Sequence, residues 1–160
     1  IEYGDLKFVI EPIIINEVIE TVISSFKSKA KRKNIDLVFN RQTDIEVKSD
    51  TKAIERVLNN LIDNAFKYSP ESSLIEIKAR KQAGFLRISV LDFGEGVPEE
   101  EQKFVFKRFY RTAKARANTK QGSGLGLAIV RNLVNNLQGD VGVETRKEGG
   151  SEFWFTLPLS

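Results

Sequence analysis

A chain of 160 residues, 41% hydrophobic and with a net charge of +3, is long enough for one domain with a substantial core and short for two. It has no Cys and no His. That excludes disulfides, thiolate or imidazole metal sites, and every catalytic arrangement that needs a Cys or His of its own.

The start, "IEYGDLKF", has neither an initiating Met nor the shape of a signal peptide, so the chain is expected to be a piece of a longer parent. No run approaches the roughly 18 to 20 apolar residues of a membrane span. After an extended start, apolar residues at Val18, Ile19, Val22, Ile23, Phe26 and Ala30 repeat at helical spacing, which predicts a helix over about 16–33 with Asn16 as its N-cap. The β-branched runs "IDLVFN" and "DIEVK" predict short strands. "SDTKAIERVLNNLIDNAFKYSP" then predicts a second helix, capped by Asp50 and ended by Ser69-Pro70.

"SLIEIKARK" and "FLRISVLD" alternate on either side of Gln82-Ala83-Gly84, the pattern of a β-hairpin. "PEEEQKFVFKRFY" reads as a short helix with Pro at its start and acids in its first turn. The segment 112–121 has no apolar period, and "RTAKARANTK" across it carries four positive charges and no acid, so it is expected to be mobile. A helix over about 124–137, stopped by Gly139, and a closing hairpin turning at Glu148-Gly149-Gly150 complete the chain. Helices and strands come in blocks, which favours a two-layer α+β sandwich over a doubly wound parallel sheet.

Three stretches carry candidate chemistry. On the second helix Ile54, Val57, Leu58, Leu61, Ile62 and Ala65 share one arc, and Asn60, Asn64 and Lys67 form a polar stripe at its border. Two amides one turn apart can aim their oxygens at one hard cation, although the same residues could simply cap backbone groups or face water. "DFGEGVP" ends an apolar strand with Asp92, a costly position for a carboxylate without a partner. The exocyclic amine of a purine is one such partner, and an ordinary strand-terminal turn is the competing reading. "GSGLGLAIV" opens a helix, where free N–H groups and the helix dipole attract anions. It matches neither the P-loop nor the dinucleotide fingerprint.

Taken together and in order, "NNLIDNAFKY", "DFGEGVP", "FVFKRFYR" and "GSGLGLAIV" closely resemble the N box, first G box, F box and second G box of sensor histidine kinases. These boxes mark a catalytic and ATP-binding domain of the superfamily shared with Hsp90, gyrase B and MutL. The resemblance spans nearly all of residues 1–160 and implies a Bergerat-type α/β sandwich, a mixed and mainly antiparallel sheet packed on three main helices. A mobile ATP lid is implied at about 112–123.

The resemblance also implies roles for residues. Asn64 would ligate a Mg²⁺ that bridges the ATP phosphates, with Asn60 as a second or water-mediated ligand. Lys67 would touch the phosphates and Tyr68 would pack near the base. Asp92 would accept from the adenine amine over a floor shaped by Gly94 and Gly96. Arg111 would reach the γ-phosphate, with Phe106 and Phe109 anchoring the leading edge of the lid. Gly122, Ser123, Gly124, Leu125 and Gly126 would form the hinge and phosphate cradle. Asn60, Lys67 and Arg111 would be the catalytic set.

Other branches of the superfamily place a water-activating Glu where this chain has Asn60, which has no basic lone pair at neutral pH. Transfer of the phosphoryl group is therefore favoured over hydrolysis. The acceptor His would belong to a separate helical dimerisation domain of the parent, with a response regulator as the indirect partner and no nucleic acid. The isolated chain is expected to be monomeric and unable to phosphorylate itself. It is expected to act in the cytoplasm, and a membrane anchor elsewhere in the parent is left open. A serine kinase of the anti-sigma type and an ATP-driven clamp share the fold and are the competing readings.

Overall fold

A computed structural model of the chain describes residues 7–112 and 125–159. The elements are β1 (Glu11–Ile14), α1 (Ile15–Ser25), α2 (Lys27–Lys33), β2 (Asp36–Phe39), β3 (Glu46–Ser49) and α3 (Thr51–Tyr68). They continue with β4 (Leu74–Gln82), β5 (Phe85–Leu91), α4 (Glu99–Gln102), α5 (Gly126–Asn136), β6 (Val141–Thr145) and β7 (Ser151–Pro158). Strands β2-β4-β5-β7-β6 form the main sheet, in which β2 runs parallel to β4 and the other neighbours are antiparallel. β1 and β3 pair separately as an antiparallel ribbon. The architecture is the expected α+β sandwich.

Alternation on the strands sends Ile75, Ile77, Leu86, Ile88, Val90, Phe153, Phe155 and Leu157 to the helical side, where all are buried. α3 answers with Ile54, Val57, Leu58, Leu61, Ile62, Ala65 and Phe66, and α5 with Val130, Leu133 and Val134, all within one continuous core. Each fully buried Leu or Ile in it contributes about 1.5–3 kcal/mol. Asp50 caps α3 as expected, its Oδ1 accepting from Ala53 N at 2.8 Å while Oδ2 accepts from Val9 N at 2.7 Å. At the other end Ser69 is extended ahead of Pro70, and the Lys33 ammonium donates to the carbonyl of Phe66.

Three local expectations need correction. The first helix breaks at Phe26, which leaves helical geometry so that its ring can stack on Phe66 at 5.6 Å and 7°. Asn16 is not the cap. α1 begins one residue earlier, and the buried Asn16 amide donates to the Gln42 carbonyl and to Asp44, tying down the β2–β3 loop.

The acidic helix stops at Gln102, after which single turns (Phe104 N to Glu101 O, Lys107 N to Phe104 O) replace the helical ladder. Val105 and Phe106, which follow, are both buried. α5 does end near Gly139, but the left-handed residue is Gln138, with φ 67°.

Among the described residues no helix is long and apolar enough to cross a membrane. Replacing Asp50 by Ala removes an acceptor from two backbone N–H groups and is expected to lower stability by about 1–2 kcal/mol in urea unfolding, with Asp50→Asn restoring most of it.

Candidate functional site

A cleft opens between α3, the turn after β5, the segment after α4, the first turn of α5 and the start of β7. Asn60, Asn64, Lys67 and Tyr68 line it from α3, Asp92, Gly96 and Val97 from the turn after β5, and Arg111 and Thr112 from the segment after α4. Gly126 and Leu127 close it from α5. The core fixes the rotation of α3, so the border stripe of that helix has no other direction to point.

Asp92 is the most constrained polar group in the cleft. The register that pairs Leu91 with Glu152 brings Asp92 opposite Ser151, and Asp92 N donates to Ser151 O at 3.0 Å. The side chain is 4% exposed, and its Oδ1 accepts from Gly94 N at 2.9 Å and from Ser151 N at 3.2 Å. Among the described residues Oδ2 receives no donor, and it is not sealed off from the cleft, so one carboxylate oxygen remains available to a ligand. Burial pushes the carboxyl above the ordinary aspartate value, and the two backbone hydrogen bonds with the charge of Arg146 offset part of that rise.

Glycine is required at two points around this carboxylate. A Cβ on Gly94 would lie 2.4 Å from the Tyr68 carbonyl, so the turn can approach the end of α3 only without a side chain. Gly150 has φ +86°, and a Cβ there would lie 2.0 Å from the Asp92 carbonyl.

The α3 stripe has an electrostatic partner that the sequence did not reveal. Asp63, also in the cleft wall, pairs with Lys29 at 2.6 Å and with Lys67 at 3.6 Å. Burial raises its carboxyl, but the hydrogen bond and charge of Lys29, joined by Lys67, outweigh this and hold it below the ordinary value. Asp63 is consequently a poor proton acceptor. Asn60 and Asn64 contribute neutral amides, and the first residue of α5 faces them: a Cβ on Gly126 would stand 3.6 Å from Asn60 Oδ1. Neutral oxygen donors one turn apart suit a hard cation whose remaining ligands come from phosphate and water. Among the described residues no group of three or more carboxylates could hold a metal on its own.

Asn60, Asn64, Lys67, Tyr68, Asp92, Gly96, Arg111 and Gly126 therefore share one cleft, and Gly94 lies just behind it under Tyr68. Leu125 precedes α5 without lining the cleft. Gly122, Ser123 and Gly124, with most of the expected lid, lie outside the described residues. Phe106 is buried edge-on against Phe153 at 6.2 Å. Phe109 is not an anchor here: it is 65% exposed with φ 63°, its side chain turned outward by the left-handed backbone.

Sequence reasoning also missed Val97, Val105, Phe153, Ser151 and Arg146. The first three look like ordinary core residues, and the last two act on Asp92 across 59 and 54 positions of chain.

Residues 49–160 match the family described as Histidine kinase-, DNA gyrase B-, and HSP90-like ATPase, and the chain belongs to that family. The sensor-like histidine kinase SenX3 of Mycobacterium tuberculosis is 35% identical over 144 residues, which is 90% of this chain and 35% of that protein. The chain thus spans about a third of the length of that relative. The solved catalytic domain of histidine kinase ThkA superposes with a TM-score of 0.84 at 31% identity, covering 95% of this chain and 97% of that one. Another ThkA structure, in complex with the response regulator TrrA, gives 0.80 at 29% identity over 94% of this chain and 42% of that one. Full-length ShkA in complex with AMPPNP gives 0.82 at 28% identity over 97% and 32%.

Asp92→Asn can keep both backbone hydrogen bonds through its amide oxygen while removing a buried charge. Because the native carboxyl is shifted upward, its ionisation costs stability at neutral pH, and that cost disappears below the ordinary value of 3.8. Denaturant unfolding is expected to find the Asn variant more stable than wild type at neutral pH, with the gain shrinking as pH falls through the raised value.

Proposed function

We propose that the cleft binds Mg²⁺-ATP and presents its γ-phosphate to a histidine imidazole supplied from outside these 160 residues. The carrying observation is Asp92, a buried residue with one carboxylate oxygen held by two backbone N–H groups and the other without a donor among the described residues. Such an acceptor suits the adenine amine and opposes the carbonyl that guanine has at the same position. Tyr68 and Val97 provide apolar surface beside the base, and Gly94 and Gly96 keep the backbone close beneath it.

Farther along the cleft Asn64 would hold Mg²⁺, with Asn60 as a second or water-mediated ligand. The metal would neutralise phosphate charge, while Lys67 and Arg111 orient the phosphate oxygens. The first turn of α5 supplies N–H groups without intrahelical acceptors, which favours anions there. Residues 122–124, just before it, belong to the proposed hinge and cradle.

In the reaction an imidazole nitrogen attacks the γ-phosphorus as the bond to the β,γ-bridging oxygen breaks, and ADP departs with that oxygen. The protein's contribution is alignment and charge neutralisation. Two observations favour transfer over hydrolysis: Asn60 offers no general base, and Asp63 is ion-paired to Lys29 and Lys67. The chain contains no His, so the acceptor belongs to a separate helical domain of the parent, from which a response regulator would draw the phosphoryl group. Nucleotide binding itself needs no second copy of this chain.

Calorimetry is expected to show Mg²⁺-dependent ATP binding by wild type and at least tenfold weaker binding by Asp92→Ala, the loss of a hydrogen bond to a charged group being about 1.5–3 kcal/mol. Equal affinity in both would refute the pocket. With labelled ATP, acid-labile phosphate should form on a His-containing helical domain added in trans and not on this chain. Label on a partner Ser instead would identify the serine-kinase class.

A further inference from the structure

Arg146, in the β6–β7 turn, plays no part in the nucleotide site proposed above, yet its side chain is committed to the residue at the centre of that site. Its Nη1 donates to the Asp92 carbonyl at 2.8 Å, and its guanidinium lies 4.3 Å from the ring centroid of Phe93, the next residue along. The turn itself is closed by Arg146 N donating to Gly150 O at 3.0 Å. The same hairpin therefore grips Asp92 three times: at its carbonyl through Arg146, at its carboxylate through Ser151 N, and at its N–H through Ser151 O.

We propose that Arg146 is a positioning residue for base recognition, fixing the backbone from which Asp92 projects and supplying a cation beside a carboxylate that must stay ionised to accept from an amine. The inference rests on the nucleotide reading for its purpose, though not for its physical content. Stacking on Phe93 takes water from one face of the guanidinium, and a charge with less water around it acts more strongly on its neighbour.

Other ionisable groups reach the same cleft: Asp63, Lys67 and Tyr68 from α3, Glu95 from the turn after β5, and Tyr110 and Arg111 from the segment after α4. Asp63 is paired with both Lys29 and Lys67. At Asp92 the charge of Arg146 works against burial and favours the ionised carboxylate.

A Lys at 146 would keep the charge but lose the planar stack, Gln would keep a donor without charge, and Met would keep only the bulk. The direct test is a carbon-13 NMR titration of the Asp92 carboxyl in the unliganded protein, paired with ATP calorimetry between about pH 5 and about pH 8. Arg146→Met and Arg146→Gln are each expected to raise the Asp92 midpoint, with Arg146→Lys retaining most of the wild-type position. The acid-side loss of ATP affinity should move upward with it, so the variants lose more affinity at low pH than at high pH.

An unchanged Asp92 midpoint, with affinity lowered equally at every pH or not at all, would reduce Arg146 to a structural contact and overturn the proposal. If Met disrupts the hairpin in thermal melts, the Gln variant decides. Wild type that binds no ATP would refute the nucleotide reading alone, because the carboxyl titration still reports on Arg146.

Discussion

The site depends on one junction, where β5 ends at Asp92 and β7 begins at Ser151. A carboxylate 4% exposed is costly to ionise, and it persists here because Gly94 N and Ser151 N both point at Oδ1. Those donors are in range only if two backbones approach more closely than a side chain allows, at Gly94 beneath Tyr68 and at Gly150 against the Asp92 carbonyl. The sheet register, the two glycines and the chemical state of the carboxylate are thus one constraint. A change of register by one residue would reverse the strand faces and leave Asp92 without its donors.

α3 transmits core packing to the cleft. Its apolar arc is immersed against the sheet, α1 and α5, which fixes its rotation about its axis. The border residues Asn60, Asn64 and Lys67 are aimed by that rotation, and Lys67 is held further by its ion pair with Asp63. Asp63 lies on the same border, but its pairing with Lys29 and Lys67 neutralises it and leaves the amides as the donors proposed for a cation. The side chains of these ion pairs are 37–42% exposed and add little to stability, so their effect is on the chemical character of the cleft.

The elements most legible in the sequence were those whose reasons are local. The second helix announced itself by period, by the Asp50 cap and by Ser69-Pro70, and the hairpins by alternation around glycine turns. Four ordered motifs were enough to bring Asn60, Asn64, Asp92 and Arg111 into one proposed site. Asn16 was misread because a cap and a buried loop clamp use the same amide, and only the position of Gln42 and Asp44 separates them. The helix after Pro98 was overextended because acids and Pro favour its first turn without fixing its end, which falls at Gln102.

By itself the sequence determined the class of fold, the family and the residues available for chemistry, because periodicity, capping and motif order are written along the chain. It also excluded any acceptor imidazole within these residues. Tertiary structure decided that β2 joins the main sheet while β3 pairs with β1, that Asp63 is neutralised, and that the β6–β7 turn holds Asp92 through Gly150, Ser151 and Arg146. These outcomes rest on contacts between residues far apart in the chain, whose energies depend on burial and distance, and neither quantity exists until the sheet has closed over the helices.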